Sequence, residues 1–221
     1  MMDKKVALVT GASRGIGKAT AIKLAQENIH VVALARTVGA LEELDDEIAS
    51  IGGSCTLIPQ DLKKIDKLEN LGPALAEKLG RLDIFIANAG LLGTLGPLAH
   101  ASPKEVEMLF KVNVLANQAL IRTLDPLLRQ SDAGRVVTLL TSPGAMKGRA
   151  YWGVYGATKV ALDSFTNAYA DEVKQTNIKV MGYNPGAVRT KMRAQAVPGE
   201  DPKTLPPPEE TANEIFKLLD L

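Results

Sequence analysis

The sequence predicts an α/β protein built on a doubly wound parallel sheet, and three observations carry that expectation. Apolar strand-like runs alternate with helix-like ones through most of the 221 residues, joined by short links, the pattern of right-handed βαβ units. Leu82 to Ala87 is almost continuously apolar, as suits a strand covered on both faces. The first strand runs straight into a glycine turn that opens a helix, so a ligand is expected at the carboxyl ends of the strands.

Val6 to Thr10, β-branched and apolar, is the first strand. It ends in Gly11-Ala12-Ser13-Arg14-Gly15-Ile16-Gly17, after which Ala19, Ile22, Leu24 and Ala25 follow at helical spacing. Glycines let the backbone approach a pyrophosphate closely, and the positive end of the helix faces the anion, so dinucleotide binding suits this turn. His30 to Ala35 is a second strand, and a helix from about Val38 to Ile51 stops at Gly52-Gly53. Ser54 to Pro59 is a third strand, expected to bury Cys55, with Asp61 just past its end. A helix from about Lys64 to Leu79 stops at Gly80, ahead of the fourth strand.

Asn88-Ala89-Gly90 opens a flexible loop, and Ser102-Pro103-Lys104-Glu105 is a capping box that starts a long helix. Asn113 lies inside that helix, where it can back-bond to the chain or face a site. Pro126 is expected to bend or end the helix. Ser131 to Gly134 turns the chain into a fifth strand, Arg135 to Thr141, with Ser142 at its carboxyl end. A second long helix covers about Trp152 to Gln175. A sixth strand, Ile178 to Tyr183, leads into Asn184-Pro185-Gly186, then a polar stretch, 187–208, reads as a lid before a last helix from about Pro208 to Leu219.

Composition narrows the function. With a net charge of +1 and 46% hydrophobic residues, nothing points to nucleic acid, and the expected partner is a small molecule. One cysteine excludes an internal disulfide and fits a reducing compartment. No apolar run approaches the ~18 residues of a membrane span. A cytoplasmic protein is expected.

Tyr155 and Lys159 stand four residues apart in the second long helix, on one face. Acid/base work by a tyrosine at neutral pH needs its phenolate favoured by roughly 3 pKa units, or about 4 kcal/mol. A desolvated lysine charge about 4 Å away supplies that much at an effective dielectric near 20.

Taken together and in order, these motifs make the chain resemble the short-chain dehydrogenase/reductase family over nearly its whole length. Thr10-Gly11-x-x-x-Gly15-Ile16-Gly17 resembles its cofactor turn, Asp61 its adenine-contacting acid, Asn88-Ala89-Gly90 its fourth-strand motif, and Pro185-Gly186 with Thr190 the segment beside nicotinamide. Asn113, Ser142, Tyr155 and Lys159 match its catalytic set. The loop Leu91-Leu92-Gly93, the segment Arg149-Ala150-Tyr151-Trp152-Gly153, and Met192-Arg193-Ala194 with Glu200-Asp201-Pro202 are similar to the YciK-like bacterial oxidoreductases. Ala87 stands where the family usually has asparagine.

The resemblance implies one domain over 1–221 with a Rossmann-type sheet in the order 3-2-1-4-5-6, the family's seventh strand being absent from a chain that stops at Leu221. It implies hydride transfer between nicotinamide and a small-molecule carbonyl or alcohol. Tyr155 is then the general acid/base, Ser142 holds the substrate oxygen, Lys159 lowers the tyrosine's pKa and holds the nicotinamide ribose, and Asn113 anchors a water relay. Cofactor contacts are expected from Gly11, Ser13, Arg14, Gly15, Ile16, Gly17, Arg36, Asp61, Asn88, Gly90, Tyr155, Lys159, Pro185, Gly186, Val188 and Thr190.

Members that use NAD carry an acid at the end of the second strand. Here that position is Ala35, followed by Arg36, with Arg14 in the glycine turn, so NADP(H) is expected over NAD(H). Leu92, Leu95, Met146, Tyr151 and Trp152 are candidates for an apolar substrate pocket or plain core and lid packing, and Arg149, Arg189 and Arg193 read as solvated lid charges ahead of selectors of an anionic substrate, with Arg189 also placed to follow the cofactor phosphates. The two long helices are expected to pair across a two-fold axis, making a homodimer more often than a tetramer because the tail is missing. A dinucleotide-binding regulator with little turnover is the competing reading. A sugar-nucleotide epimerase needs a further domain.

Overall fold

Each strand of the computed structural model, which describes residues 4–221, is an apolar segment long enough to cross the sheet once. Met1, Met2 and Asp3, which in the sequence run into the first strand, lie outside the described residues. The strands are β1 (Val6–Thr10), β2 (His30–Ala35), β3 (Cys55–Pro59), β4 (Ile84–Ala87), β5 (Arg135–Leu139) and β6 (Lys179–Tyr183). They form one six-stranded sheet in the order β3-β2-β1-β4-β5-β6. Every pair is parallel, with Leu8 beside Val32 on one side and Phe85 on the other.

The helices cover both faces. α1 (Gly15–Gln26), α2 (Val38–Ser50) and α10 (Pro208–Leu219) bury Leu24, Leu44 and Ile215 against one face with Val9, Ile84 and Val137. α3 (Ile65–Leu68), α4 (Leu71–Leu79), α5 (Pro103–Phe110), α6 (Ala116–Leu128) and α8 (Gly153–Glu172) cover the other, where Leu75, Leu120 and Leu124 pack with Leu8, Phe85 and Val136. The short helices α7 (Pro143–Met146) and α9 (Lys191–Ala196) lie in the connections beyond β5 and β6.

Three departures from the sequence reading have physical causes. The single helix expected over 64–79 is broken between α3 and α4. Pro73 has no N–H to give the Glu69 carbonyl, and that carbonyl accepts the Thr123 hydroxyl at 2.7 Å while the same hydroxyl accepts the Gly72 N–H at 3.1 Å. The long helix from Pro103 carries a π turn at Lys111–Leu115, of the kind frequent at functional sites, whereas Pro126 stays inside α6. The capping box is half formed: Ser102 Oγ accepts the Glu105 N–H at 3.2 Å, but the Glu105 carboxylate turns away to accept the Thr94 N–H at 2.7 Å.

Cys55 is half-buried rather than buried, because β3 is an edge strand. Burial pushes its thiol up to about 12. At the amino end of the sheet Asp83, 1% exposed, accepts the Val6 N–H at 2.8 Å, the Ser131 hydroxyl at 2.6 Å and two bonds from the Arg81 guanidinium at 2.9 and 2.7 Å. Beside it, buried Arg135 donates to the Leu219 and Asp220 carbonyls at 2.5 and 3.1 Å, closing the end of α10. No helix among the described residues is long and apolar enough to cross a membrane.

Candidate active site

At the carboxyl ends of the strands a cleft of about 510 Å³ opens, where the parallel topology leads a ligand to be sought. Of the residues singled out in the sequence, Gly11, Ser13, Arg14, Gly15, Ile16, Arg36, Asp61, Asn88, Gly90, Tyr155, Lys159, Pro185, Gly186, Val188 and Thr190 line it. Gly17, Asn113 and Ser142 are not among the described lining residues.

The glycine turn is shaped by close approach. Gly11 has φ 66 and Gly15 φ 55, left-handed conformations in which a side chain is strained. A Cβ on Gly11 would stand 2.9 Å from Asn88 Nδ2, and one on Gly17 would collide with the Gly11 carbonyl and the same amide. Asn88 explains the crowding: its Nδ2 donates to the Thr10 carbonyl at 2.8 Å, and Thr10 Oγ1 accepts the N–H groups of Asn88 and Ala89, both at 3.1 Å. β4 thereby clamps the turn at the start of α1, whose first N–H groups have no side-chain cap and face the cleft as donors to an anion. Arg14 and Arg36 are exposed on the lining, with no ion-pair partner among the described residues. Asp61 Oδ1 accepts the Lys63 N–H at 3.0 Å. Glycine turn, bare helix end, cations and acid fit a dinucleotide.

The other part of the cleft holds the titratable pair. Tyr155 and Lys159 are 7% and 4% exposed, with Lys159 Nζ 5.8 Å from the phenol ring centroid. Nζ donates to the Leu139 carbonyl at 2.6 Å. Burial raises the Tyr155 phenol, partly offset by the Thr141 hydroxyl, and lowers Lys159 to about 8. Asn113 sits in the π turn with its amide fully used: Oδ1 accepts the Leu91 N–H at 2.7 Å, and Nδ2 donates to the Leu91 carbonyl at 2.8 Å and to Thr158 Oγ1 at 3.0 Å. Ser142 is exposed, and its carbonyl accepts the Ala145 N–H at 3.0 Å at the start of α7.

The predicted lid contains α9. Thr190 Oγ1 accepts the Arg193 N–H at 3.2 Å, the Arg193 guanidinium makes two 2.5 Å bonds to Glu200, and Gln195 Nε2 donates to the Gly93 carbonyl at 3.2 Å. Arg193 is therefore a paired charge, not a solvated one. Of the pocket candidates, Leu92 and Trp152 line the cleft.

Comparison with known proteins decides the family. A family model described as short chain dehydrogenase matches residues 5–201. The chain belongs to the short chain dehydrogenase family. It is 36% identical over 211 residues to the uncharacterized oxidoreductase YciK of Escherichia coli K12, spanning 94% of this chain and 83% of that one. The versicolorin reductase stcU of Emericella nidulans is 34% identical over 192 residues, 86% of this chain and 72% of the relative. A short chain dehydrogenase of Escherichia coli CFT073 complexed with NADPH superposes with a TM-score of 0.91 at 34% identity, over 99% of this chain and 91% of the other. This short chain dehydrogenase is thus an NAD(P)(H)-dependent oxidoreductase acting on CH–OH groups.

Two hydroxyls in this dehydrogenase were passed over in the sequence. Thr141 lines the cleft with Tyr155. Thr158, fully buried, accepts from Asn113 and donates to the Tyr155 carbonyl at 2.7 Å, coupling the π turn to the helix that carries Tyr155. Its position beside Lys159 was the available signal.

Proposed function

We propose that this chain is an NADP(H)-dependent oxidoreductase that interconverts a carbonyl and a secondary alcohol, with Tyr155 as general acid in reduction and general base in oxidation. The observation that carries the reading is a buried phenol and a buried ammonium side by side in the cleft that the glycine turn enters. Burial keeps Tyr155 protonated at neutral pH, the form a carbonyl oxygen needs from its donor. Lys159, lowered only to about 8, stays mostly charged at neutral pH and favours the phenolate that donation leaves behind.

Ser142 is proposed to hydrogen-bond the substrate oxygen, with Thr141 one residue nearer the strand. Asn113 has its side chain engaged, and its carbonyl takes the Asn117 amide at 2.8 Å. A carbonyl has a second lone pair, the place for a relay water. The nicotinamide cofactor, when bound, supplies or accepts the hydride. The glycine turn, Asp61, Asn88, Gly90, Pro185, Gly186, Val188 and Thr190 would hold it, with Lys159 on the ribose.

Ala35 leaves room for a 2′-phosphate, and Arg14 and Arg36 offer it charge. The NADPH complex of the Escherichia coli CFT073 relative agrees. The test is kcat/KM for NADPH and NADH over a panel of ketones and aldehydes, in wild type and in Ala35→Asp with Arg36→Ile. The expected result is a wild-type preference for NADPH on the order of 100-fold, from two charge-assisted pairs of roughly 1.5 to 3 kcal/mol each, and a large fall in the variant. Preference for NADH, or an unmoved ratio, refutes the assignment, and tight NADPH binding without turnover on any carbonyl points to a regulator instead.

We also propose a homodimer through the long helices. Leu115, Val160 and Phe165 are 48%, 43% and 39% exposed there, apolar area that a two-fold partner would cover. Light scattering at micromolar concentration should give a dimer mass; a clean monomer or tetramer mass contradicts it.

A further inference from the structure

Trp152 is the single tryptophan of the chain, and it stands beside the proposed proton donor. The indole lines the cleft at the cap of α8, three residues before Tyr155. Its ring is edge-on to the phenol, centroids 6.0 Å apart and planes inclined by 64°. The Arg149 guanidinium lies 5.4 Å from the indole centroid, a cation–π contact that steadies the ring.

The cleft lining combines the apolar Leu92, Val112 and Met192 with the cations Arg14, Arg36, Lys63, Lys159, Arg189, Lys191 and Arg193. Asp61 is the one acid among the described lining residues, and its carboxylate is already engaged by Lys63. Tyr151, next to Trp152 in the chain and not among the described residues of the cleft lining, is held at φ 70 with its carbonyl accepting the Gly96 N–H at 3.1 Å and is 63% exposed, and Leu98 is 68% exposed. A non-glycine residue kept in the left-handed region is strain that a functional surface can retain.

We propose that the substrate is a flat aryl or ring-fused ketone, or its alcohol, whose ring packs on Trp152, making Trp152 the residue that selects it. The proposal rests on the reading of Tyr155 as proton donor. A carbonyl hydrogen-bonded to the Tyr155 hydroxyl lays its carbon skeleton alongside the indole. Stacking adds to plain apolar burial only for a flat π system, so the indole discriminates between an aromatic ketone and a saturated one of the same skeleton. Tyr151 and Leu98 extend that apolar surface for substrates of more than one ring.

The test compares β-tetralone with β-decalone, which share a carbon skeleton and differ in the flat ring. Wild type should show a kcat/KM roughly 10-fold higher for β-tetralone, Trp152→Phe should retain most of that ratio, and Trp152→Leu should bring it to within about 2-fold. In Tyr155→Phe loaded with NADPH, β-tetralone should shorten the Trp152 fluorescence lifetime and β-decalone should not. Equal rates for the two ketones in wild type, a ratio unchanged in Trp152→Leu, or an acyclic β-keto ester outrunning both overturns the proposal. Should wild type reduce neither ketone while β-tetralone alone still shortens the lifetime, the carbonyl-reductase reading fails and ring recognition stands; no effect on the lifetime removes both.

Discussion

The two ends of the sheet handle buried charge in opposite ways. At the amino end Asp83 is saturated by Arg81, Ser131 and the Val6 N–H, and Arg135 spends its donors on the end of α10. At the carboxyl end buried Lys159 has one acceptor among the described residues, the Leu139 carbonyl, for three protons, and on the same cleft the exposed Arg14 and Arg36 have no ion-pair partner among those residues. A group whose hydrogen bonds are complete can only hold the fold. One left with spare capacity costs stability and is free to hold a ligand.

Tyr155→Phe should cut deepest at the carboxyl end. It keeps the ring and removes the proton, so carbonyl reduction should fall by at least roughly 100-fold while NADPH binding persists. Steady-state rates alongside cofactor titration check this, and near-normal turnover ends the proposed mechanism.

A paired experiment inverts the stability of the two ends. Asp83→Ala should cost about 3 kcal/mol in urea denaturation by stranding Arg81, Ser131 and the Val6 N–H, with activity per folded molecule kept. Lys159→Met should abolish reduction yet leave the fold as stable or more so, by on the order of 1 kcal/mol, because it removes an unpaired buried charge. The pH dependences differ too. Burial alone would raise the Asp83 carboxyl, but its hydrogen bonds outweigh that and leave it below its ordinary 3.8; its stabilisation is therefore present above that value and lost as pH falls through the lowered one. Lys159 binds its proton less tightly folded than unfolded, so its cost is complete below about 8 and fades as pH rises toward 10.5. Equal denaturation midpoints for wild type and Asp83→Ala would erase the contrast.

The smallest effect separates two neighbouring hydroxyls. Thr141 lines the cleft and lowers the Tyr155 phenol, opposing burial, so Thr141→Val should shift the pH–rate profile to higher pH and reduce kcat by about 10-fold, with Thr141→Ser restoring both. Ser142→Ala, if Ser142 holds the substrate oxygen, should raise the barrier without moving the profile. A profile that moves only in Ser142→Ala would exchange their roles.

The sheet was legible because its strands are apolar runs of the right length with turn residues between them, and β1 with Gly11 to Gly17 leads into the cleft that a ligand is proposed to fill. What stayed hidden depends on contacts distant in sequence. Nothing near Pro73 says that Thr123 will take the Glu69 carbonyl and split the helix. The π turn at Asn113 is set by Leu91 and Thr158, 22 and 45 residues away, and the role of Glu105 as acceptor for Thr94 competes with a local capping rule. Thr141 was missed because motif spacing points to Ser142 and does not register that the strand ends at Leu139, which leaves Thr141 on the cleft.

The single cysteine has a practical consequence. With its thiol pushed up to about 12, Cys55 carries almost no thiolate at neutral pH, and thiolate is the form that reacts with a maleimide. A cysteine introduced on α9 in place of Gln195, whose amide bonds to the Gly93 carbonyl, would accept a fluorophore against a nearly silent background, turning the segment beside the cleft into an optical reporter of whether it moves when a ligand binds.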